Sequence, residues 1–131
     1  MKYLLDTDIC VYFLNRNKTI VDKIALLSID DLAISSFNLT ELLFGAYNSG
    51  HIKKNLERVY FFENMVEVLP FDRKAVENYA VIKSELKKQG KIIEDFDILI
   101  ASVAVSNGIT LVTNNVKHYK RIPNLKIENW V

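Results

Sequence analysis

The sequence predicts an α/β fold of three layers, with helices on both sides of a central, mostly parallel sheet. Three observations predict it. Short unbroken apolar runs at Tyr3-Leu-Leu5, Leu32-Ala-Ile34 and Ile109 to Thr113 suit strands covered on both faces. Between them lie longer stretches in which apolar residues recur at helical spacing, so strands and helices alternate. The first run also stops at Asp6-Thr-Asp8, two carboxylates at the carboxyl end of a strand, where open α/β sheets place their ligands. A carboxylate in that crevice stays solvated, whereas one inside the sheet would carry a heavy desolvation cost unless paired.

In chain order, the opening strand leads into a short helix over residues 9–14 and a loop over 15–18. Ile20, Val21, Ile24 and Leu27 place a second helix at 19–28. The strand Leu32 to Ile34 ends in Ser35-Ser36, and a helix follows from Phe37 to Asn48, with Ser36 as its cap and Gly50 as its stop. Residues 52–64 are helical, with Leu56, Val59, Tyr60 and Phe61 on one side. Val66 to Leu69 is a strand closed by Pro70, and Asp72 caps a long helix carrying Ala75, Tyr79, Ile82 and Leu86, ended by Gly90. After a loop at 91–94, Asp95 to Ser106 forms a largely buried helix stopped by Asn107-Gly108, with Asp95 as its cap. The strand 109–113 is followed by Asn114-Asn115 and a short helical turn to Tyr119, and Leu125 to Ile127 forms a last edge strand. Right-handed crossovers then bring the ends of residues 5, 34, 69 and 113 to one edge.

With 131 residues the chain makes one domain, 1–131, large enough for a sheet with covering helices. Four glycines and two prolines leave no low-complexity linker. The longest uncharged run, Ile98 to Val116, is broken by Asn107-Gly108 and is no membrane span. No signal peptide is expected ahead of the first strand. A single cysteine, Cys10, excludes an internal disulfide and a cysteine-cage zinc site, and fits a small core residue in a reducing cytoplasm. Seventeen basic against sixteen acidic residues argue against a polycation wrapped in nucleic acid and leave local basic patches open.

The predicted topology gathers Asp6, Glu41, Asp97 and Asn115 at one end of the sheet. Clustered carboxylates cannot all ionise without a cation, because each raises the others' pKa. An all-oxygen set selects a hard ion, Mg²⁺ or Mn²⁺, rather than zinc. Such an ion polarises a phosphoryl oxygen and activates water, which points to phosphodiester hydrolysis. Each acid also has a purely structural reading. Glu41 stands three residues after Asn38 and suits a capping pair, while Asp97 suits the positive end of a helix dipole. Asp8 suits either a cap or a water-mediated place beside the ion, and Asn115 suits a turn. The conjunction outweighs the individual alternatives.

Four segments, Leu4-Leu-Asp6-Thr-Asp8, Thr40-Glu41-Leu-Leu-Phe-Gly45, Asp97-Ile-Leu-Ile-Ala101 and Leu111-Val-Thr113-Asn-Asn115, occur in an order that resembles the PIN-domain ribonucleases. The likeness is greatest to the VapC toxins of bacterial and archaeal toxin–antitoxin (VapBC) pairs and extends to the closing Leu125-to-Trp130 segment. The resemblance implies a PIN-like fold and an Mg²⁺-dependent endoribonuclease, cutting transfer RNA or another structured RNA to leave a 5′-phosphate and a 3′-hydroxyl. Asp6, Glu41 and Asp97 match the family's metal-binding acids. Asn115 falls where many members have a fourth acid, which leaves a second ion open. Asp8 replaces the commoner Asn of the first motif, and Thr7 and Thr113 match positions that support the acids or bound water. The resemblance also implies a cytoplasmic homodimer inhibited by a VapB-type antitoxin that covers the groove.

Substrate phosphates would meet Lys117, Lys120 and Arg121, ranked above a second cluster of Lys53, Lys54 and Arg58 because they follow the proposed site. His51 and His118 are expected on the surface. Tyr119 is the aromatic expected to stack on an unpaired base, with Tyr12 and Phe37 assigned to the core. Two other readings compete. Asp6-Thr-Asp8 resembles the first motif of haloacid-dehalogenase-type phosphatases, with Asp6 as nucleophile, but Leu111-Val-Thr-Asn114 then follows Asp97 in the wrong order. A catalytically degenerate PIN module serving binding or dimerisation is opposed by the presence of Asp6, Glu41 and Asp97.

Overall fold

A computed structural model of the chain describes residues 1–131. In order, the elements are β1 (Tyr3–Leu5), α1 (Thr7–Leu14), α2 (Lys18–Ala25), a 3₁₀ turn (Ile29–Asp31), β2 (Leu32–Ser35), α3 (Ser36–Tyr47), α4 (Ile52–Met65), β3 (Glu67–Leu69), α5 (Arg73–Lys88), α6 (Asp95–Asn107), β4 (Thr110–Val112), α7 (Val116–Tyr119) and β5 (Ile127–Glu128). The five strands form one sheet in the order β3-β2-β1-β4-β5, and every neighbouring pair is parallel. β1 therefore lies in the middle, with Leu4 beside Ala33 on one flank and Leu111 on the other.

Alternation along the strands divides the core into two layers. Leu4, Ala33 and Leu111 face α5 and α6, meeting Ala75, Ile82, Leu86, Ala101 and Ala104. Leu5, Ile34 and Val112 point the other way, toward Ile9, Ile20, Leu42, Val59 and Phe62 of the first four helices. Each fully buried leucine or isoleucine contributes roughly 1.5–3 kcal/mol by leaving water. This double burial explains why the strand sequences are apolar throughout rather than alternating. α6 is buried along both of its sides, including Ile98, Ile100, Ala101, Val103 and Ala104, so its charged residues lie at its start and the buried mid-helix Ser102 donates its hydroxyl to Leu99 O at 2.6 Å. Gly108 closes it in the left-handed conformation at φ 64°, a geometry that costs glycine little.

Element boundaries depart from the sequence expectation where a cap decides them. α1 starts at Thr7 rather than residue 9, because Asp6 itself occupies the N-cap and accepts the Thr7 N–H at 2.9 Å. α2 stops at Ala25, three residues early, and the chain turns through the 3₁₀ segment that Ser28 caps. α3 is capped by Ser35 instead of Ser36. Ser35 Oγ accepts the Asn38 N–H at 3.2 Å, and Asn38 Oδ1 accepts the Ser35 N–H at 2.8 Å, a reciprocal box between two buried residues. α3 ends at the Asn48 cap, ahead of Gly50. Asp95 does not cap α6. Glu94 holds that position without a side-chain bond, and the Asp95 carboxylate turns outward to Lys83 Nζ at 2.6 Å and the Tyr79 hydroxyl at 2.9 Å. Asp72 caps α5 as the sequence predicts, accepting the Ala75 N–H at 3.0 Å.

Candidate active site at the carboxyl edge of the sheet

Because all strands are parallel, Leu5, Ser35, Leu69 and Val112 end at one edge, and the acids collect there. Asp6 extends β1, its N–H bonding to Val112 O at 2.9 Å, and its side chain is only 7% exposed. Asp6 Oδ2 accepts the Thr113 hydroxyl at 2.9 Å. Burial pushes the Asp6 carboxyl up to about 7, and the charges of Asp8 and Asp97 push in the same direction against the bonds from Thr113 and Thr7.

Asp8, in the first turn of α1, accepts the backbone N–H of Asn114 at 3.0 Å and of Ile9 at 2.7 Å. It ties α1 to the loop after β4. Burial raises its pKa, while the Asn114, Ile9 and Thr113 donors oppose the rise. Glu41 lies one turn inside α3 and accepts the Thr7 hydroxyl at 2.6 Å. Asn38 Nδ2 donates to the same hydroxyl oxygen at 3.0 Å. The capping partner of Asn38 is Ser35, which leaves the Glu41 carboxylate turned toward the edge. Burial raises the Glu41 pKa, with the Asp97 charge adding to it and the Thr7 bond opposing it.

Asp97, in the first turn of α6, is held at both oxygens. Tyr119 donates its hydroxyl to Oδ1 at 3.1 Å, and His118 Nε2 donates to Oδ2 at 2.8 Å. These two residues correct the sequence expectation. His118 is not a free surface residue, and Tyr119, 1% exposed, is locked in the core and unavailable for stacking on a base. Burial, then the charges of Asp6 and Asp97, push the Tyr119 hydroxyl far above its ordinary pKa, so it serves only as a donor. No sequence periodicity announces the contact, which spans 21 residues between Asp97 and His118. Asn38 was also missed as a site residue, although its S-x-x-N spacing from Ser35 carries a capping signal.

Thr113 is fully buried, and its oxygen also accepts the Asn115 N–H at 3.0 Å. Asn115 begins α7 with an exposed side chain that makes no capping bond, and it touches the edge only through its backbone. Lys117, Lys120 and Arg121 are exposed around α7 and take no part in an ion pair. His51 is exposed, while Phe37 packs between Phe71 and Phe96 and Tyr12 packs on the core. Cys10 is buried, with its thiol pushed well up by that burial, so it is an inert core residue. From the other rank of cations, Arg58 reaches a cleft of about 240 Å³ whose wall includes Thr7, Glu41, Val11, Leu42 and Asn55. No lysine pairs with Asp6, which removes the cation a phosphorylated aspartate would need.

The donor set suits a hard divalent cation. Four carboxylates face one edge, no lysine or arginine pairs with any of them, and the Asp97 charge raises Asp6, Asp8 and Glu41 together. The side chains are not closed around a common point: no three of the acids, histidines and cysteine converge on a possible ion position. Glu41 is held back by Thr7, and Asp97 by His118 and Tyr119.

Comparison with known proteins places the whole chain in a family. The PIN domain family matches residues 3–125. Ribonuclease VapC2 of Rickettsia felis is 41% identical over 99% of this chain and 98% of its own length. The tRNA(fMet)-specific endonuclease VapC of Shigella flexneri is 34% identical over 99% of this chain and 98% of its own. Among solved structures, VapBC2 from Rickettsia felis bound to a promoter DNA fragment superposes with a TM-score of 0.94 at 40% identity, covering 100% of both chains. DNA-bound VapBC from Salmonella typhimurium superposes with a TM-score of 0.95 at 34% identity, over 100% of this chain and 99% of that one. The fold is that of a PIN domain. The chain belongs to that family, and within it to the VapC proteins.

Proposed function

We propose that this chain, as one domain over residues 1–131, is the ribonuclease toxin of a toxin–antitoxin pair and hydrolyses phosphodiester bonds in RNA with the help of Mg²⁺, for which Mn²⁺ can substitute. The observation that carries the proposal is the meeting of Asp6, Glu41 and Asp97 at one sheet edge in a VapC-family fold. The names of its relatives, ribonuclease and endonuclease, support the same reading. Asp6 and Asp97 would hold the ion, with Glu41 joining directly or through water. Such an ion supplies charge neutralisation at the scissile phosphate and a more acidic water.

The protein's own groups do the rest. Thr113 and the Thr7 N–H hold Asp6, Asp8 fixes the loop after β4 onto α1, and the Asn38–Thr7 relay orients Glu41. Asn115 contributes where a fourth acid would stand, without adding charge. Lys117, Lys120 and Arg121 meet the phosphates that flank the scissile bond. Transfer RNA is the substrate class favoured by the name of the Shigella relative. A VapB-type antitoxin and a second copy of the chain are the proposed protein partners, in keeping with the VapBC complexes among the structural neighbours. The proposed setting is the cytoplasm, and no helix is long and apolar enough to cross a membrane.

The test is cleavage of purified transfer and ribosomal RNAs by the purified chain, with Mg²⁺ and with chelator. Asp6→Asn should remove the cleavage. Equal cutting by that variant, or cutting that survives chelation, would reject the proposal.

A further inference from the structure

We propose that His118 is a positioning residue that occupies the outer oxygen of Asp97 in the ion-free protein and gives that oxygen up when a divalent cation binds. The inference rests on the reading of the acidic edge as a cation site. It starts from the unlike partners of the two Asp97 oxygens. Tyr119 donates to Oδ1 from a fully packed position, 1% exposed, and cannot withdraw without opening a hole in the core. His118 donates to Oδ2, yet its side chain keeps 24% exposure and it stands on α7, a single turn of four residues that lacks a side-chain cap. Its Nε2 bond to Asp97 is the one hydrogen bond the ring makes within the chain, and its remaining anchor is an edge-on contact with the Tyr119 ring at 5.6 Å. One bond pins Asp97 in place and the other can be released by rotating a partly exposed side chain toward water.

The exchange is chemically balanced. In the ion-free protein the imidazole N–H satisfies a carboxylate oxygen that otherwise faces the charges of Asp6, Asp8 and Glu41. When the cation takes that oxygen, the ring turns to solvent and loses nothing but one charge-assisted bond, which water replaces. His118 thereby competes with the ion and lowers its apparent affinity, whereas Tyr119 preserves the aim of Asp97 through both states.

Mn²⁺ titration at one fixed pH, followed by calorimetry, tests this with the whole chain. His118→Ala should bind Mn²⁺ about three- to tenfold more tightly than the wild type, the worth of one competing hydrogen bond. His118→Gln, which can still donate, should stay near the wild-type value, and Tyr119→Phe should bind more weakly. In the wild type, imidazole nitrogen NMR should show the Nε2 bond lost on addition of Mg²⁺, a readout that needs no variant. Weaker Mn²⁺ binding by His118→Ala, or an Nε2 signal unmoved by saturating Mg²⁺, would overturn the exchange while leaving the ribonuclease proposal standing. A wild-type chain that binds neither ion would overturn both.

Discussion

The hydroxyl of Thr113 donates to Asp6 Oδ2 at 2.9 Å, joining residues 107 positions apart in sequence. This bond fastens the end of the central strand to the end of its neighbour and stabilises the charged form of a carboxylate that burial works to neutralise. Thr113→Val keeps the shape and removes the donor. At pH 8, where Asp6 is charged, we expect a loss of roughly 1.5–3 kcal/mol in urea unfolding, the range for a buried bond to a charged group. The Mg²⁺-induced rise in Tm should shrink alongside it, because Asp6 becomes harder to ionise. Unchanged values for both would show that the bond contributes nothing.

The raised Asp6 pKa makes a signed statement about pH. Unfolded, the carboxyl titrates near 3.8; folded, it keeps its proton up to about 7. Between those values the folded state binds more protons, so stability falls as pH rises, by up to about 4 kcal/mol for a shift of about three units. Asp8 and Glu41 act in the same direction. Urea melts in chelator should therefore give a lower unfolding free energy at pH 8 than at pH 5. Asp6→Asn should flatten that slope, and Mg²⁺ should flatten it in the wild type. A wild-type slope of the opposite sign would contradict the assignment.

Asn38 is both a helix cap partner and the support of Thr7. Asn38→Ala strips the Ser35 N–H and the Thr7 hydroxyl of a partner at once. The expected cost is roughly 1–3 kcal/mol by thermal or urea unfolding. RNA cleavage should fall more than fold loss explains, since Glu41 is oriented through Thr7. Activity intact at temperatures where the variant is folded would disprove that relay.

Lys117, Lys120 and Arg121 are exposed and unpaired, so their neutralisation should leave stability nearly unchanged. If they meet RNA phosphates, changing all three to Gln should weaken binding of a catalytically dead Asp6→Asn protein to RNA. The slope of log affinity against log salt should drop by about 0.7 per contact on a single strand. The same triple change at Lys53, Lys54 and Arg58 is the control, and a larger effect there would move the RNA track to the Arg58 side of the cleft.

Much of the fold was legible because the strands β1, β2 and β4 are buried on both faces and helices such as α2 and α5 carry a 3.6-residue stripe, signals that survive in a single sequence. The placing of Asp6 and Thr113 at one edge followed from the parallel topology, since parallel strands end at the same edge, whereas Asp97 enters on a helix that follows another helix, α5, and no strand end places it. Local caps were less legible. Ser35 and Ser36 are chemically alike, and only the buried position of Asn38 selects the first. Asp95 reads as a cap because nothing in its own segment announces Lys83, on the neighbouring helix α5 and 12 residues away in sequence. The sequence hides the roles of His118 and Tyr119 for the same reason: their partner, Asp97, is on another helix, α6, and a contact between separate elements leaves no periodic trace.

β4 lies inside the sheet, between β1 and β5, although it is made from residues 110–112. The first acid of the site is thus synthesised more than a hundred residues before the hydroxyl that secures it. A chain still emerging from the ribosome holds its aspartates without a scaffold to aim them. A nascent chain that ends before residue 113 therefore carries Asp6 without the hydroxyl that secures it.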